Sequence, residues 1–186
     1  MSIYLLRHEE RYDNPGYFTT LTVKGRKKSQ ELSNTLNEID FDTIYCSPFL
    51  RTIETIYPYV RQYKKKVNIE YALYEFIRKE TFTMKNYLHN VYEFIDYAPE
   101  YPCFPYINHN YISFIRDTDI HYPETYKSIY DRIQPFIDNI IENIGEKKIL
   151  LVTHMSTFNM IKNYIQLQTF SDNDPKFPMG TLEKVL

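Results

Sequence analysis

Three apolar segments of this sequence end in side chains that could bind and transfer a phosphoryl group. The first segment ends in Arg7 and His8, the second is followed by Arg51, and the third ends in His154. In an open parallel sheet, ligands bind outside the carboxyl ends of the strands. If these segments are neighbouring strands, two guanidinium groups and two imidazoles share one crevice. Such a cluster suits a phosphoryl group, because phosphoryl transfer relies on positioned positive charge around the phosphate oxygens.

Strand and helix signals alternate along the chain and predict the layers that position these side chains. Apolar runs at residues 2–6, 43–46, 67–69, 148–152 and 182–186 are typical of strands, the last one at a sheet edge. Helices are predicted from Thr22, from Ser47-Pro48, and over residues 82–97, 124–144 and 155–167. The alternation indicates a layered α/β fold. The length suits one domain and no internal repeat is visible, so we predict a single domain over residues 1–186.

Two features interrupt this regular pattern. Pro58 lies within the second predicted helix and is expected to kink or shorten it. Residues 98–122 are rich in Pro, Tyr, Asn and His, and they are predicted to form a long loop or an insertion with short helices. Loops of this length are usually functional or mobile.

Composition and charge narrow the classes of function. The chain is 43% apolar and 25% charged, which is usual for a soluble globular protein. Its net charge of −2 provides no overall field for nucleic acid or an anionic membrane, so an anion site has to be a local cluster. Only four glycines are present among 186 residues. Phosphate recognition is therefore expected to come from side chains and not from a glycine-rich loop.

The sequence also predicts the cellular compartment of the protein. No apolar run is long enough to span a bilayer, and charged residues interrupt the N-terminal apolar run before it resembles a signal peptide. The two cysteines are not closely spaced, which argues against a disulfide framework and for a reducing compartment. We therefore expect a cytoplasmic protein.

Motifs of other phosphoryl-transfer and hydrolase chemistries are absent. The sequence has no Gly-x-x-x-x-Gly-Lys-Ser/Thr loop, no Cys-x5-Arg segment and no Gly-x-Ser-x-Gly elbow. His89, His109 and His121 lack the spacing of known metal-binding motifs. We therefore expect a site that uses neither a metal ion nor a cofactor.

Four segments together resemble the histidine phosphatase superfamily, the phosphoglycerate-mutase-like proteins. Residues 5–8, Leu-Leu-Arg-His, resemble its Arg-His signature, and residues 21–25 resemble its Leu-Thr-x-x-Gly helix entry. Residues 47–55 are similar to its Ser-Pro-x-x-Arg-x-x-x-Thr segment, and residues 150–154 resemble the run that carries its second histidine. Each motif alone is weak, but the four occur in the right order and context. Residues 76–122 resemble no motif that we recognise.

The resemblance implies a three-layer α/β/α sandwich with a mainly parallel central sheet. It also implies that His8 is the nucleophile that becomes phosphorylated. Arg7 and Arg51 would hold the phosphate oxygens in bidentate forks that lysine cannot reproduce. His154 would add a hydrogen-bond donor from the opposite side.

A carboxylic acid must protonate the leaving oxygen and then activate water. In the family this acid follows the third strand in a Leu-x-Glu pattern, and Leu73-Tyr74-Glu75 fits that pattern. We therefore assign the acid to Glu75, with Glu80 as the reserve. Asn14 stands where many family members place an asparagine that contacts phosphate.

Departures from the family pattern keep an alternative open. The family usually has glycine after each of its two histidines, whereas this chain has Glu9 and Met155. Glu9 could crowd or repel a phosphate. The leading hypothesis is a metal-independent phosphomonoester hydrolase that forms a phosphohistidine. The alternative is a catalytically impaired, phosphatase-like protein with a binding or regulatory role.

The expected substrate is a phosphorylated small molecule or a phosphoprotein, with no nucleic acid or membrane partner; the sequence does not indicate an oligomeric state. The mutase branch normally follows its acid with Arg-His-Tyr-Gly, but residues 76–79 are Phe-Ile-Arg-Lys. This difference and the short chain favour a phosphatase over a phosphoglycerate mutase.

Overall fold

The centre of the fold is a sheet whose inner strands come from apolar segments of the chain. The computed structural model describes residues 2–13, 16–82, 102–116, 119–143, 145–169 and 174–186. In these residues the sheet has five strands: β1 (Ser2–Arg7), β2 (Thr43–Cys46), β3 (Asn68–Ile69), β4 (Lys148–Thr153) and β5 (Leu182–Lys184). Their order is β3-β2-β4-β1-β5. All neighbouring strands are parallel except β5, which is antiparallel to β1.

The register of the strands brings their carboxyl ends to one edge. Arg7 at the end of β1 lies opposite Thr153 at the end of β4. Strand β2 ends one residue pair short of that level. The next residue after β1 is His8, and the next after β4 is His154. The two histidines therefore emerge side by side from the middle of the sheet.

In the described part of the chain, four α-helices cover the two faces of the sheet. They are α1 (Val23–Ile39), α2 (Leu50–Tyr63), α3 (Tyr126–Asn143) and α4 (Met155–Ile165). Side chains of α1 and α2 share one apolar core with alternate residues of the strands: Leu6, Ile44, Leu150 and Val152 face Leu36, Ile53, Ile56 and Val60. Side chains of α3 and α4 share the other core: Ile3, Leu5, Ile149 and Leu151 face Ile133, Ile137, Phe158 and Ile161. Because successive strand residues point to opposite faces, both faces are buried. The predicted three-layer α/β/α sandwich is confirmed.

The helix starts were predicted with mixed success. Thr22 caps α1 as expected, since its hydroxyl accepts a hydrogen bond from the backbone N–H of Gly25 at 3.0 Å. The prediction that Ser47-Pro48 caps and begins α2 is wrong, because the cap is Phe49 and the helix begins at Leu50. The hydroxyl oxygen of Ser47 instead lies 2.7 Å from Nε2 of His154. Helix α2 also continues through Pro58 to Tyr63, so Pro58 does not shorten it.

Most other element predictions agree with the structure to within a few residues. The predicted helices over 124–144 and 155–167 are α3 and α4, and the predicted edge strand is β5. The described part of 98–122 contains a 3₁₀ turn at Phe104–Tyr106 and a bridge between Val67 and Ile107. The helix predicted over 82–97 lies almost wholly outside the described residues. Cys46 and Cys103 are free and buried. None of the described helices has the length and apolarity to cross a membrane.

Candidate active site

His8 is held as a neutral imidazole with one nitrogen available. Its Nδ1 lies 2.8 Å from the carbonyl oxygen of Glu9. A carbonyl only accepts hydrogen bonds, so Nδ1 carries the proton and Nε2 keeps a lone pair. Burial lowers the pKa of His8 well below its ordinary value, and the positive charges of Arg51, Arg7 and Arg11 add to this effect. The ring is therefore uncharged at neutral pH, and its Nε2 lone pair is not protonated.

Arg51 is the most deeply buried cation of the cluster. It lies in the first turn of α2 with no exposed surface. Its Nη1 donates to the carbonyl of Gly16 at 2.8 Å, and its Nη2 donates to Oε2 of Glu75 at 3.2 Å. Burial lowers the pKa of Arg51 to about 10, partly offset by the nearby Glu75 carboxylate. The guanidinium thus stays charged at neutral pH in a poorly solvated place, where its field is strong.

Arg7 and Arg11 add positive charge from the side of β1. Arg7 is half-buried, and its Nη1 donates to the carbonyl oxygen of Phe177 in the segment before β5. Burial lowers the pKa of Arg7 from its ordinary value. Arg11 lies close enough to lower the pKa of His8, Arg7 and Arg51 by charge repulsion. Sequence reasoning missed Arg11, although its position three residues after His8 was an available signal.

His154 lies opposite His8, with 5.3 Å between the ring centroids and 60° between the ring planes. Its Nε2 lies 2.7 Å from the hydroxyl oxygen of Ser47. Its Nδ1 lies 3.3 Å from Oε2 of Glu75. Burial lowers the pKa of His154 well below the ordinary value, as does the charge of Arg51. Sequence reasoning read Ser47 as a helix cap and missed this contact with the imidazole.

Glu75 reaches the same cluster from a short irregular segment. It follows a 3₁₀ turn at Tyr71–Leu73, and its side chain is 17% exposed. The segment is held by its backbone, because Arg132 of α3 donates to the carbonyls of Tyr74 and Glu75 at 2.9 and 3.2 Å. Arg132 is itself paired with Glu124, with 2.7 Å between Nε and Oε1.

The remaining sequence predictions have different outcomes. Asn14 lies outside the described residues, and Glu80 is exposed on a turn. Glu9 is 5% exposed, and its carboxylate lies against Gly180, where an added Cβ would stand 2.0 Å from Oε1 of Glu9. Burial raises the pKa of Glu9, and the largest charge effects on it come from Lys28, Glu10 and Glu31. Those three groups lie outside the cluster of guanidinium and imidazole groups.

Three side chains of the site are of types that also bind metal ions. Among the described residues, His8, Glu75 and His154 could each offer one ligand atom, and these atoms lie within 4.8 Å of one another. The guanidinium groups of Arg7 and Arg51 border the same space. Positive charges so close would repel a cation and attract an anion. The chemistry of the site therefore fits a phosphate better than a metal ion.

Solved structures share this fold. The chain is similar to the ecdysone phosphate phosphatase of Bombix mori in complex with tungstate, with 16% identity and a TM-score of 0.70, covering 98% of this chain and 88% of that one. It is also similar to a putative alpha-ribazole-5'-P phosphatase of Escherichia coli K-12, with 18% identity and a TM-score of 0.71, covering 99% and 89%. The alpha-ribazole phosphatase of Shigella flexneri has 21% identity and a TM-score of 0.69, covering 99% and 89%.

The chain therefore shares the overall fold of these solved phosphatase structures. The sequence model of the histidine phosphatase superfamily (branch 1) matches residues 3–182. The chain therefore belongs to the histidine phosphatase superfamily, as the four sequence motifs predicted. No curated protein matches the chain significantly.

Proposed function

We propose that this protein is a metal-independent phosphomonoester hydrolase that works through a phosphohistidine on His8. The observation that carries the proposal is the convergence of a neutral imidazole, a second imidazole and a carboxylate within 4.8 Å, bordered by the buried guanidinium of Arg51 and the half-buried one of Arg7. Each group has a role in phosphoryl transfer. Membership of the histidine phosphatase superfamily supports the same reaction class.

The substrate phosphate would bind as an anion among the cations. Arg51 and Arg7 would share its equatorial oxygens, and Nδ1 of His154 would donate a hydrogen bond from the far side. Arg11 would add to the field at the entrance. Because charge in phosphoryl transfer stays on these oxygens, such donors stabilise the transition state as well as the bound substrate. Asn14 remains a proposed additional phosphate contact.

The reaction would then proceed in two displacements. In the first, Nε2 of His8 attacks phosphorus and the ester oxygen leaves with a proton from Glu75. In the second, the Glu75 carboxylate takes a proton from water, and the resulting hydroxide attacks phosphorus and releases His8. The hydrogen bond from Nδ1 to the carbonyl of Glu9 keeps His8 in the reactive tautomer throughout. The products are an alcohol and inorganic phosphate.

Hydrolysis is favoured over a mutase reaction by the residues that follow the acid. Phe76 and Ile77 are buried in the apolar cores, so they offer no polar contact to a second phosphate. The similar solved structures include phosphatases of ecdysone phosphate and of glucosyl-3-phosphoglycerate. We propose organic phosphomonoesters, free or on a protein, as the substrate class. The position of Glu9 beside Gly180 weighs against the alternative of a crowded, impaired site.

The test is a panel of phosphomonoesters assayed with wild type and His8→Ala in parallel. Wild type should hydrolyse at least one ester and accumulate an acid-labile, base-stable phosphate on His8. His8→Ala should lose both properties, while His109→Ala, which changes an exposed histidine, should keep them. A chelator should leave the rate unchanged. Loss of activity with EDTA that a divalent ion restores would contradict the proposal.

A further inference from the structure

One aromatic side chain contacts both of the buried groups that would bind phosphate. The ring centroid of Phe49 lies 4.4 Å from the guanidinium carbon of Arg51. The same ring lies 4.8 Å from the imidazole of His154, at an interplanar angle of 72°. Phe49 is 1% exposed and stands at the cap of α2, two residues before Arg51. It is one of the unspecified positions of the Ser-Pro-x-x-Arg segment.

The Phe49 ring is itself fixed from behind. It packs on Tyr74 and Tyr17, with centroids 4.6 and 4.9 Å away. Its backbone carbonyl accepts hydrogen bonds from the hydroxyl and the N–H of Thr52 at 2.6 and 3.0 Å. Both the backbone and the ring of Phe49 are therefore held in one position. A ring fixed in this way also restricts the side chains that pack against it, here Arg51 and His154.

Arg51 and His154 have other polar contacts, with Glu75 near both of them and Ser47 beside His154, but each also keeps one nitrogen that makes no hydrogen bond. Among the described residues, Nε of Arg51 and Nδ1 of His154 are fully buried without a hydrogen-bond partner. The hydrogen bonds that Arg51 does make reach Gly16, in the irregular segment before α1, and the carboxylate of Glu75. The ring of Phe49 is thus an apolar surface that the guanidinium of Arg51 and the imidazole of His154 share.

We propose that Phe49 is a positioning residue, whose ring orients Arg51 and His154 toward one bound phosphate. A ring beside a guanidinium covers its flat face. The N–H groups at the edge of the guanidinium stay available for bidentate binding of phosphate oxygens. An edge-to-face contact fixes the imidazole plane in the same way. The inference rests on the proposed function, because it assumes that these two groups bind the substrate phosphate.

The test compares two ring-less variants with a ring-retaining one. Phe49→Leu and Phe49→Met remove the ring, and methionine keeps most of the volume if leucine fails to fold. Phe49→Tyr keeps the ring. The matched control is Phe41→Leu, because Phe41 is also 1% exposed but lies before β2, at the opposite end of the sheet. The measurements are the Kd for inorganic phosphate and for vanadate, kcat and KM with p-nitrophenyl phosphate, and Tm.

The ring-less variants should bind phosphate about 10-fold more weakly and raise KM by a similar factor, which is the scale of a desolvated cation–π contact. Phe49→Tyr should stay within about threefold of wild type on the same grounds. Phe41→Leu should lower Tm about as much as Phe49→Leu but leave phosphate affinity unchanged. Equal phosphate affinity in Phe49→Leu and Phe41→Leu would overturn the inference while the proposed function stood. If wild type binds no phosphate, the function and the inference fail together.

Discussion

The carboxylate of Glu75 contacts two of the groups that a phosphate would need. Its Oε2 lies 3.2 Å from Nη2 of Arg51 and 3.3 Å from Nδ1 of His154. A bound phosphate would use the same N–H groups, so it has to share them or displace the carboxylate. Displacement would move Glu75 from a cation to the neighbourhood of a phosphate dianion. A group that protonates the leaving oxygen has to stand beside the bound phosphate, so this displacement suits the role proposed for Glu75.

Replacement of Glu75 by glutamine should separate catalysis from binding. Glu75→Gln should lower the hydrolysis rate by about 10²–10⁴-fold for esters with poor leaving groups, the usual effect of losing a general acid. Nitrophenyl phosphate should be affected less, because its leaving group needs less protonation. Vanadate and phosphate affinity should be kept or improved, because a competing anion is removed from Arg51. Steady-state kinetics and titration calorimetry measure the two effects.

The control for this prediction is the reserve candidate for the acid. Glu80 is exposed on a turn, so Glu80→Gln should leave hydrolysis of both ester types nearly unchanged. The opposite pattern, with a harmless Glu75→Gln and a crippling Glu80→Gln, would assign the acid to Glu80.

At the scale of elements, Arg132 of α3 and Glu124, just before that helix, form an ion pair that holds the segment of the proposed acid, Glu75. The side chains of Arg132 and Glu124 are 5% and 1% exposed. Arg132 also donates to the carbonyls of Tyr74 and Glu75, and Oε2 of Glu124 accepts from the N–H of Ile77 at 3.1 Å. The Arg132–Glu124 pair therefore forms hydrogen bonds to the backbone both before and after Glu75, the proposed acid. A buried ion pair of this kind specifies a backbone position that an apolar contact cannot.

Removing one partner of this pair should destabilise the protein and displace the acid. Arg132→Met would leave Glu124 buried without its cation, which costs about 3–5 kcal/mol of the free energy of unfolding. The hydrolysis rate for poor leaving groups should fall even at temperatures where the variant is folded. Denaturant unfolding and steady-state kinetics are the measurements.

The comparison variant is Lys127→Met on the same helix. Lys127 pairs with Asp131 at 2.6 Å, but both side chains are more than half exposed. An exposed pair of this type is worth about 0.3–0.5 kcal/mol. If Arg132→Met were no more destabilising than Lys127→Met, the proposed support of the acid-bearing segment would be wrong.

For the whole molecule, the same burial that keeps the two imidazoles uncharged also makes stability depend on pH. Burial and the charge of Arg51 lower the pKa of both His8 and His154 in the folded state. In the unfolded chain a histidine has an ordinary pKa of about 6.5. Below that pH the unfolded state binds more protons than the folded state. The stability contributed by the neutral imidazoles is therefore present above about pH 6.5 and is lost as pH falls.

The free energy of unfolding should accordingly decrease from about pH 6.5 toward pH 5, by up to about 1.4 kcal/mol per pH unit for each histidine. His8→Asn keeps a hydrogen-bond donor to the carbonyl of Glu9 but removes the imidazole. In this variant the free energy of unfolding should therefore depend less steeply on pH, by the contribution of one histidine. His109→Asn, at an exposed position, should leave the slope unchanged. Urea unfolding at a series of pH values measures it. If the slope persisted undiminished in His8→Asn, the buried imidazole would not be a source of the pH dependence.

The sequence predicted much of this fold because its main signals are local. Apolar runs, helical spacing and the Thr22 cap each depend on residues a few positions apart, and these predictions agree with the strands, with four helices and with the cap of α1. The start of α2 was misplaced because the hydroxyl of Ser47 has a competing partner, the imidazole of His154. That partner is 107 residues away, and no local pattern reveals it.

By itself, the sequence determined which residues end the central strands and which family the chain belongs to. Parallel strands share one edge for their carboxyl ends, so the order of the motifs was enough to bring Arg7, His8 and His154 together. Only the tertiary structure decided where the other groups point. The carboxylate of Glu9 lies against Gly180, and the ring of Phe49 lies against both Arg51 and His154. These directions depend on packing between segments that are distant in the chain, and packing is decided by the shapes of all the neighbours at once.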